Sequence, residues 1–306
     1  MKKILPILAL SVLSLSSVAQ QDPQFSQNMF NKLYVNPAFA GSSEAICLHA
    51  LYRAQWVNFD GNPKTFVFGA DAPLLDNKVG VGLSVLSDKI GYESTLMGKL
   101  AGAYHFTIGS GKLGVGLDFD FLQKTLDGSK FNPPDGKNVD DPAIQYSSVN
   151  GTAFDMGAGL YYHSEKLYIG ASASHLLEAK VDLGKSTNEF KRHFYGMIGY
   201  SFDLSPSLAL KPSVFVKNVT DNTTLDFNLN LHINNRFWIG AGYRTEDAIV
   251  AMLGLNITDK LRLGYSYDIT TSNIKKYSDG SHEIMLGYCF TTKKKMIPII
   301  RNVRFL

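Results

Sequence analysis

Outside its first twenty residues, this 306-residue sequence lacks a long hydrophobic run. No apolar stretch there reaches the roughly eighteen residues that a membrane-spanning helix requires. Cysteine is scarce too, because the chain contains only two cysteines and they do not form a Cys-x-x-Cys pair. These absences argue against a helical membrane protein and against a cysteine-rich zinc or redox site.

Motifs of common catalytic sites are also missing. The sequence has no Gly-x-Ser-x-Gly nucleophile elbow and no His-Glu-x-x-His zinc helix. Its seven histidines are scattered, and no two of them stand at helical ligand spacing. We therefore expect no catalytic residue, no cofactor and no metal.

Charge of either sign is nearly balanced, with 30 basic and 27 acidic residues and a net charge of +3. This balance gives no reason to expect nucleic acid as a partner. Two of the positive charges, Lys2 and Lys3, precede an apolar stretch at residues 4–15 and small residues at 17–19. The pattern predicts a secretory signal peptide over residues 1–19, so the protein is expected to be exported.

What the chain does contain is an alternation of apolar and polar residues in about fourteen short segments. The segment from Leu113 to Phe121, Leu-Gly-Val-Gly-Leu-Asp-Phe-Asp-Phe, shows it clearly. Successive side chains of a strand point to opposite faces, and here one face is aromatic while the other carries Gly, Ser and Asp. This pattern is typical of a barrel with lipid outside and water inside. It predicts a single fourteen-stranded antiparallel transmembrane β-barrel over residues 44–291, in the outer membrane.

The connections between predicted strands support this interpretation because long and short ones alternate. All the long connections, at 58–64, 125–151, 177–191 and 271–281, fall at one end of the barrel. Outer-membrane barrels have short periplasmic turns and longer outer loops. The longest loop is stiffened by prolines, and proline lowers the entropic cost of binding. It is therefore either a docking surface for an exported protein or a lid over the lumen, and its candidate contact residues are Pro133, Pro134, Asp135, Asp140 and Asp141.

Two segments flank the predicted barrel. Residues 20–43 form a leader without alternation, and its prolines argue against one long helix. Four large aromatics argue against a free tail, so we expect a plug inside the barrel or at its periplasmic mouth: Phe25, Phe30, Tyr34 and Phe39. Residues 292–306 form a basic tail that the strand count assigns to the periplasm. Its cations flank apolar residues 296–300, which favours an anchored strand or a contact with a periplasmic partner: Lys293, Lys294, Lys295, Arg301 and Arg304.

Residues assigned to the inside of the barrel leave two questions open. Inward charges either pair with one another or line a substrate path: Arg53, Asp88, Asp118, Asp120, Asp155, Arg244, Arg262 and Asp268. Cys47 and Cys289 lie on the first and last strands, which must pair to close the barrel. They are either two unpaired small residues or a disulfide across this seam. Glycine pairs such as Gly80/Gly82 and Gly114/Gly116 lack a third glycine, and we interpret them as small lumen-facing positions.

Several motifs along the chain resemble those of the PorP/SprF family of type IX secretion and gliding-motility outer-membrane proteins. In the leader they are Gln-Asp-Pro-Gln-Phe-Ser-Gln at 21–27, Met-Phe-Asn at 29–31 and Asn-Pro-Ala-Phe-Ala-Gly-Ser at 36–42. They continue with Arg-Ala-Gln-Trp at 53–56, Gly-Asn-Pro-Lys-Thr at 61–65 and Asp-Lys-Ile-Gly at 88–91. Tyr-Ser-Tyr-Asp-Ile-Thr at 265–270 and Gly-Ser-His-Glu-Ile-Met-Leu at 280–286 complete the match.

The resemblance implies an outer-membrane barrel without catalysis. Family members are thought to assist secretion or surface anchoring of cognate adhesins, or to link the secretion machinery to a periplasmic peptidoglycan-binding protein. The expected partners are therefore lipid, other type IX components and a secreted adhesin. The alternative is a fourteen-stranded transporter for hydrophobic compounds, which a continuous apolar path through the wall would favour. A polar, plugged lumen would favour the secretion component, and an enzyme is the third possibility.

Overall fold

The structure of the protein, a computed structural model, describes residues 22–130, 145–220 and 222–290. Over these residues the chain forms seventeen strands: β1 Ile46–Ala54, β2 Lys64–Leu74, β3 Val79–Ile90, β4 Glu93–Ile108, β5 Gly111–Asp127, β6 Ser148–His163, β7 Leu167–Ser174, β8 Lys180–Asp182, β9 Thr187–Glu189, β10 His193–Tyr200, β11 Phe202–Ser205, β12 Leu208–Val219, β13 Asn222–Ile233, β14 Phe237–Arg244, β15 Ala248–Asn256, β16 Leu261–Thr270 and β17 Ser281–Phe290. One α-helical turn spans Lys32–Val35, and short 3-10 turns lie at Asn28–Phe30, Pro37–Phe39, Gly128–Lys130 and Asn273–Lys276.

The main sheet closes on itself. Its strands pair antiparallel with their neighbours in the chain, and β1 pairs with β17. Strands β10 and β11 occupy one position in the barrel, interrupted at Ser201, because both pair with β12. Strands β8 and β9 form a separate hairpin in the connection from β7 to β10. The barrel therefore has fourteen strand positions, as the sequence predicts.

Side chains on the barrel are arranged with apolar groups outside and charges inside. On β5, Phe119 is 63% exposed, whereas Asp118 and Asp120 on either side of it are 2% and 1% exposed. A soluble sandwich would show the opposite order, because its apolar face would form the core. This arrangement suits a wall with lipid outside. Among the described residues, no helix combines the length and apolar character needed to cross a membrane.

The two ends of the barrel differ in their connections. At one end the strands are joined by turns of two to four residues, such as 109–110 between β4 and β5. At the other end lie the longer connections, which run from β1 to β2, from β5 to β6, from β7 to β10 and from β16 to β17. By the general rule for outer-membrane barrels, the short-turn end faces the periplasm and the long-loop end faces outward.

A disulfide joins the first and last strands. Cys47 lies directly opposite Cys289 in the β1–β17 register, and the two sulfur atoms are bonded. The sequence leaves two interpretations open, and the one in which these cysteines are unpaired is therefore wrong. The bond lies near the periplasmic end of the seam and links positions 242 residues apart in the chain.

Leader and lumen as the candidate functional site

The leader lies inside the barrel and runs from the outer end of the lumen towards the periplasmic end, where β1 begins. Its prolines and asparagines break it into three short turns. Asn36 stabilises the last of these, because its Oδ1 accepts a hydrogen bond from the backbone N–H of Ala38 at 3.0 Å. Its Nδ2 donates to the carbonyl of Leu160 on β6 at 2.9 Å, so the same side chain also ties the leader to the wall.

Glycines on the inner face of the wall make room for the leader backbone. A Cβ at Gly80 would overlap the carbonyl group of Ala40, and a Cβ at Gly116 would overlap the backbone of Ala38. Ala38 and Ala40 are fully buried as a result. Gly80, Gly114 and Gly116 are therefore positions of close backbone contact between leader and wall.

The four leader aromatics named from the sequence all lie in the lumen. Phe25 and Tyr34 are buried and pack edge to face, with ring centroids 5.7 Å apart. Phe30 is partly buried and contacts Trp238, while Phe39 packs edge to face against Tyr161 at 5.3 Å. The leader is thus held partly by aromatic packing.

A buried ion network fixes the leader near the outer end of the lumen. Arg53 pairs with Asp268 at 2.8 Å and with Glu283 at 3.2 Å, and Arg244 also contacts Asp268 at 3.2 Å. The hydroxyl of Ser26 bonds to Asp268 at 2.7 Å and accepts from Arg53 at 2.9 Å. Backbone N–H groups of the leader also donate to Glu283: those of Ser26 and Gln27, at 2.9 and 2.8 Å. The leader therefore contributes hydrogen bonds to charges that come from four strands.

A second anchor surrounds Asp22. His175 Nε2 lies 3.1 Å from its Oδ1, Tyr195 donates to its Oδ2 at 2.8 Å, and its backbone N–H donates to His193 Nε2 at 3.0 Å. Burial alone would raise the pKa of the Asp22 carboxyl, but His193 and His175 outweigh it and hold that pKa well below its usual range. Burial lowers the pKa of His175, yet Asp22 and Asp155 dominate and raise it to about 9. His175 is thus charged at neutral pH.

The same three groups have the composition of a metal site. One ligand atom from each of Asp22, His175 and His193 lies within 4.8 Å of the others. However, His175 lies between the carboxylates of Asp22 and Asp155, and His193 Nε2 already accepts a hydrogen bond from the leader backbone. We therefore interpret the cluster as an ionic anchor for the leader.

The connection between β7 and β10 folds over the outer end of the leader. Ala179 and Val181 are buried there, and Phe190 packs beside His175 with ring centroids 5.2 Å apart. Between the leader and the wall, a cavity bounded by Phe25 and Tyr195 measures only about 10 Å³. Arg53, Asp268 and Glu283 are at most 1% exposed as well, so the leader and the wall side chains fill the outer half of the lumen.

The periplasmic half of the lumen is open instead. A cavity of about 1150 Å³, which we call the vestibule, lies between the leader and the short turns. Phe30, Lys32 and Phe39 of the leader face it, and Lys211, Arg262 and other wall residues complete its lining.

Of the eight inward charges inferred from strand parity, three pair with one another and three more contact other side chains of the wall. Arg53, Arg244 and Asp268 form the network at Ser26, and Asp120 pairs with Lys99 at 3.1 Å. Asp88 accepts a hydrogen bond from Thr65 at 2.6 Å, and Asp155 lies beside His175. Asp118 is buried on the same strand as Asp120, whereas Arg262 faces the vestibule without an ion pair among the described residues.

Several partners of this network are absent from the sequence-based set. Glu283, Asp226 and Lys99 are inward by the same parity rule and could have been found from it. Asp22 and Ser26 could not, because the leader has no strand periodicity. The candidate contact residues of the longest loop, Pro133 to Asp141, and of the basic tail, Lys293 to Arg304, lie outside the described residues.

Solved structures of outer-membrane barrels show a similar architecture. The Ralstonia pickettii toluene transporter TbuX is 11% identical, with a TM-score of 0.48 over 84% of this chain and 92% of that one. The P. putida toluene transporter TodX is 8% identical, with a TM-score of 0.49 over 86% of this chain and 94% of that one. Similarity at this level says nothing about what the chain binds or transports.

No curated protein matches the sequence. A family model does, and it describes type IX secretion system membrane proteins of the PorP/SprF type over residues 17–288. The match covers the leader and nearly the whole barrel, so it includes the elements that build the lumen. Together with the closed barrel, it assigns the protein to the outer membrane of a Gram-negative bacterium, in association with other components of the secretion system. The chain therefore belongs to the PorP/SprF family of type IX secretion system membrane proteins.

Proposed function

We propose that this protein is a non-enzymatic, plugged barrel that holds partner proteins at the outer membrane. It assists the secretion or surface anchoring of a cognate adhesin, or links the machinery to a periplasmic partner such as a peptidoglycan-binding protein. The observation that carries the proposal is the buried network in which leader residue Ser26 joins Arg53, Asp268 and Arg244. A leader held by so many charge-assisted hydrogen bonds is suited to permanent closure.

The alternative function, transport of hydrophobic compounds, requires an apolar path through the barrel. The outer half of this lumen is instead filled by the leader and by paired charges such as Arg244 and Asp226, 2.7 Å apart. An apolar solute gains no free energy by moving from water to a site lined by these charges. Separating the ion pairs to admit it would cost free energy. The polar filling supports the partner-holding role over transport.

Paired charges also support a non-enzymatic role. The buried carboxylates at Ser26 contact arginines and backbone N–H groups, and they are at most 1% exposed. A general acid or base must lie within reach of its substrate.

We propose that partner binding uses both ends of the barrel. Outside, the proline-containing loop would dock the exported adhesin through Pro133, Pro134, Asp135, Asp140 and Asp141. In the periplasm, the basic tail would contact the machinery through Lys293, Lys294, Lys295, Arg301 and Arg304. The mixture of cations and apolar residues 296–300 suits a protein contact better than a solvated charge run.

Two chromosomal deletions test this proposal in the native bacterium. Removal of residues 293–306 should leave the barrel inserted but release a periplasmic protein that co-purifies with the intact chain from native membranes. Removal of residues 133–141 should instead reduce one surface protein, measured by proteomics of shed and cell-bound fractions. If both variants keep all co-purifying proteins and all surface proteins at native levels, the partner-holding role is wrong.

A further inference from the structure

The vestibule carries an excess of positive charge. Six basic and three acidic side chains line it, together with three histidines. Three of the cations, Lys32, Lys211 and Arg262, form no ion pair with any acidic side chain in the described part of the chain. They contrast with Lys166 at the rim of the vestibule, which pairs with Asp203 at 2.9 Å.

The cation from the leader, Lys32, lies in a box of aromatic rings. Its Nζ is 3.4 Å from the ring centroid of Tyr168, 5.5 Å from that of Tyr161 and 5.7 Å from that of Phe39. The Tyr161 hydroxyl is 3.1 Å from the same Nζ. Aromatic faces stabilise a cation, but they leave it without a counter-charge.

Two further basic side chains, Arg262 and Lys211, line the same vestibule as Lys32. Burial, followed by the positive charges of Arg262 and Lys211, lowers the pKa of Lys32 to about 7. Lys32, Lys211 and Arg262 line one cavity without an acidic partner among the described residues, and an anion among them would offset the repulsion between their charges. These three basic side chains of the vestibule therefore lack a negative counter-charge among the side chains that the structure describes.

Arg262 lies between an aromatic side chain and a polar side chain of the vestibule. Its guanidinium lies 5.1 Å from the ring centroid of Phe30, and its Nε donates to Asn256 at 3.1 Å. The terminal nitrogens remain available, and a guanidinium binds a carboxylate with two parallel hydrogen bonds.

We propose that the vestibule binds an acidic peptide segment of a partner protein, presented from the periplasm. Its carboxylates would lie among Lys32, Lys211 and Arg262, and an apolar side chain would pack against Phe30. The cavity of about 1150 Å³ is far larger than a single small anion needs, and the barrel wall separates it from lipid head groups. This inference rests on the proposed partner-holding function and specifies the chemistry of one partner.

A binding measurement on the purified full-length protein in detergent tests the inference. The probe is a fluorescein-labelled peptide, Glu-Glu-Phe-Glu-Glu-Phe, and fluorescence anisotropy reports its binding. We expect the double variant Lys211→Gln/Arg262→Gln to weaken binding at least tenfold. The matched control is Lys166→Gln, which removes an already paired cation from the same rim and should change binding less than twofold.

Two further arms identify the ligand chemistry. A peptide with glutamine in place of each glutamate should bind at least tenfold more weakly, and inorganic phosphate at 10 mM should not abolish binding of the acidic peptide. The inference is overturned if the double variant binds like the parent, if the glutamine peptide binds equally well, or if only phosphate binds. Heat-modifiable gel migration of each variant checks that the barrel is folded.

The cellular experiment above separates this inference from the proposed function. If tail or loop deletion releases partners but the acidic peptide does not bind, the function stands and the vestibule site is wrong. If neither deletion affects any partner, the function itself fails whatever the peptide does.

Discussion

At the scale of single residues, the molecule depends on buried charges that share ionic and hydrogen-bonded partners. Arg53 is 1% exposed and Glu283 is fully buried, yet each has ionic and hydrogen-bonded partners from both wall and leader. A buried charge that loses its partner costs far more than an exposed one, because the remaining charge stays desolvated.

Arg53→Ala should destabilise the barrel strongly. It leaves Glu283 without its arginine and removes one of the two arginines at Asp268, so we expect a loss of about 3–5 kcal/mol in the free energy of unfolding. The control Lys166→Ala breaks an exposed pair, which water and salt screen, and should leave the free energy of unfolding almost unchanged. Urea titration of the two variants in detergent, followed by tryptophan fluorescence, measures the difference. Equal urea midpoints for the two would contradict the network's role.

Gly80→Ala tests the close contact between leader and wall. The new Cβ would overlap the backbone carbonyl of Ala40, which cannot rotate away as a flexible side chain would, so overpacking of about 1–3 kcal/mol is expected. The control is Gly98→Ala on β4, where a Cβ meets no atom within 4 Å. Limited proteolysis should cleave the leader faster in the first variant only. If the leader is cleaved at the same rate in both variants, Gly80 does not determine how the leader packs against the wall.

At the scale of elements, the leader is the part whose removal should change what passes through the barrel. The protein with its leader should conduct ions poorly in planar bilayers, because the outer half of the lumen is filled. Deletion of residues 22–41 should raise single-channel conductance severalfold. Heat-modifiable migration must first show that the truncated barrel has folded. An unchanged conductance in a folded truncated barrel would mean that another element closes the lumen.

The strands follow from the sequence much more directly than the leader does. The alternating segment from Leu113 to Phe121 lies within β5, Gly111–Asp127, because period-two alternation is enforced by lipid on one side and water on the other. The break at Ser201 and the β8–β9 hairpin were not predicted, since neither has enough residues to show a period. Likewise, the contacts of Asp22 join residues up to 195 positions apart, and only the closed barrel brings them together.

At the scale of the whole molecule, closure of the barrel removes the free sheet edges, which makes such a fold resistant to detergent. Unboiled protein should therefore migrate differently from boiled protein on a denaturing gel. Identical migration, with recovery in the soluble periplasm, would contradict the membrane barrel.

The disulfide should add to this resistance without deciding the fold. The double variant Cys47→Ser/Cys289→Ser should still insert, because nine residue pairs hold the β1–β17 seam in register. We expect it to lose about 2–4 kcal/mol of stability, seen as a lower temperature of conversion between the two gel bands. Unreduced and reduced parent protein provide the matched comparison. If reduction leaves the conversion temperature unchanged, the bond contributes nothing to the closed state.

The seam disulfide also has a topological consequence. The bond turns the chain from Cys47 to Cys289 into a covalent ring, and the leader that precedes Cys47 lies within that ring. Once the bond has formed, the leader cannot leave the lumen sideways through the β1–β17 seam, and the direct way out is along the barrel axis. The leader must therefore enter the lumen before the disulfide joins the last strand to the first. Otherwise it must enter afterwards through the periplasmic mouth.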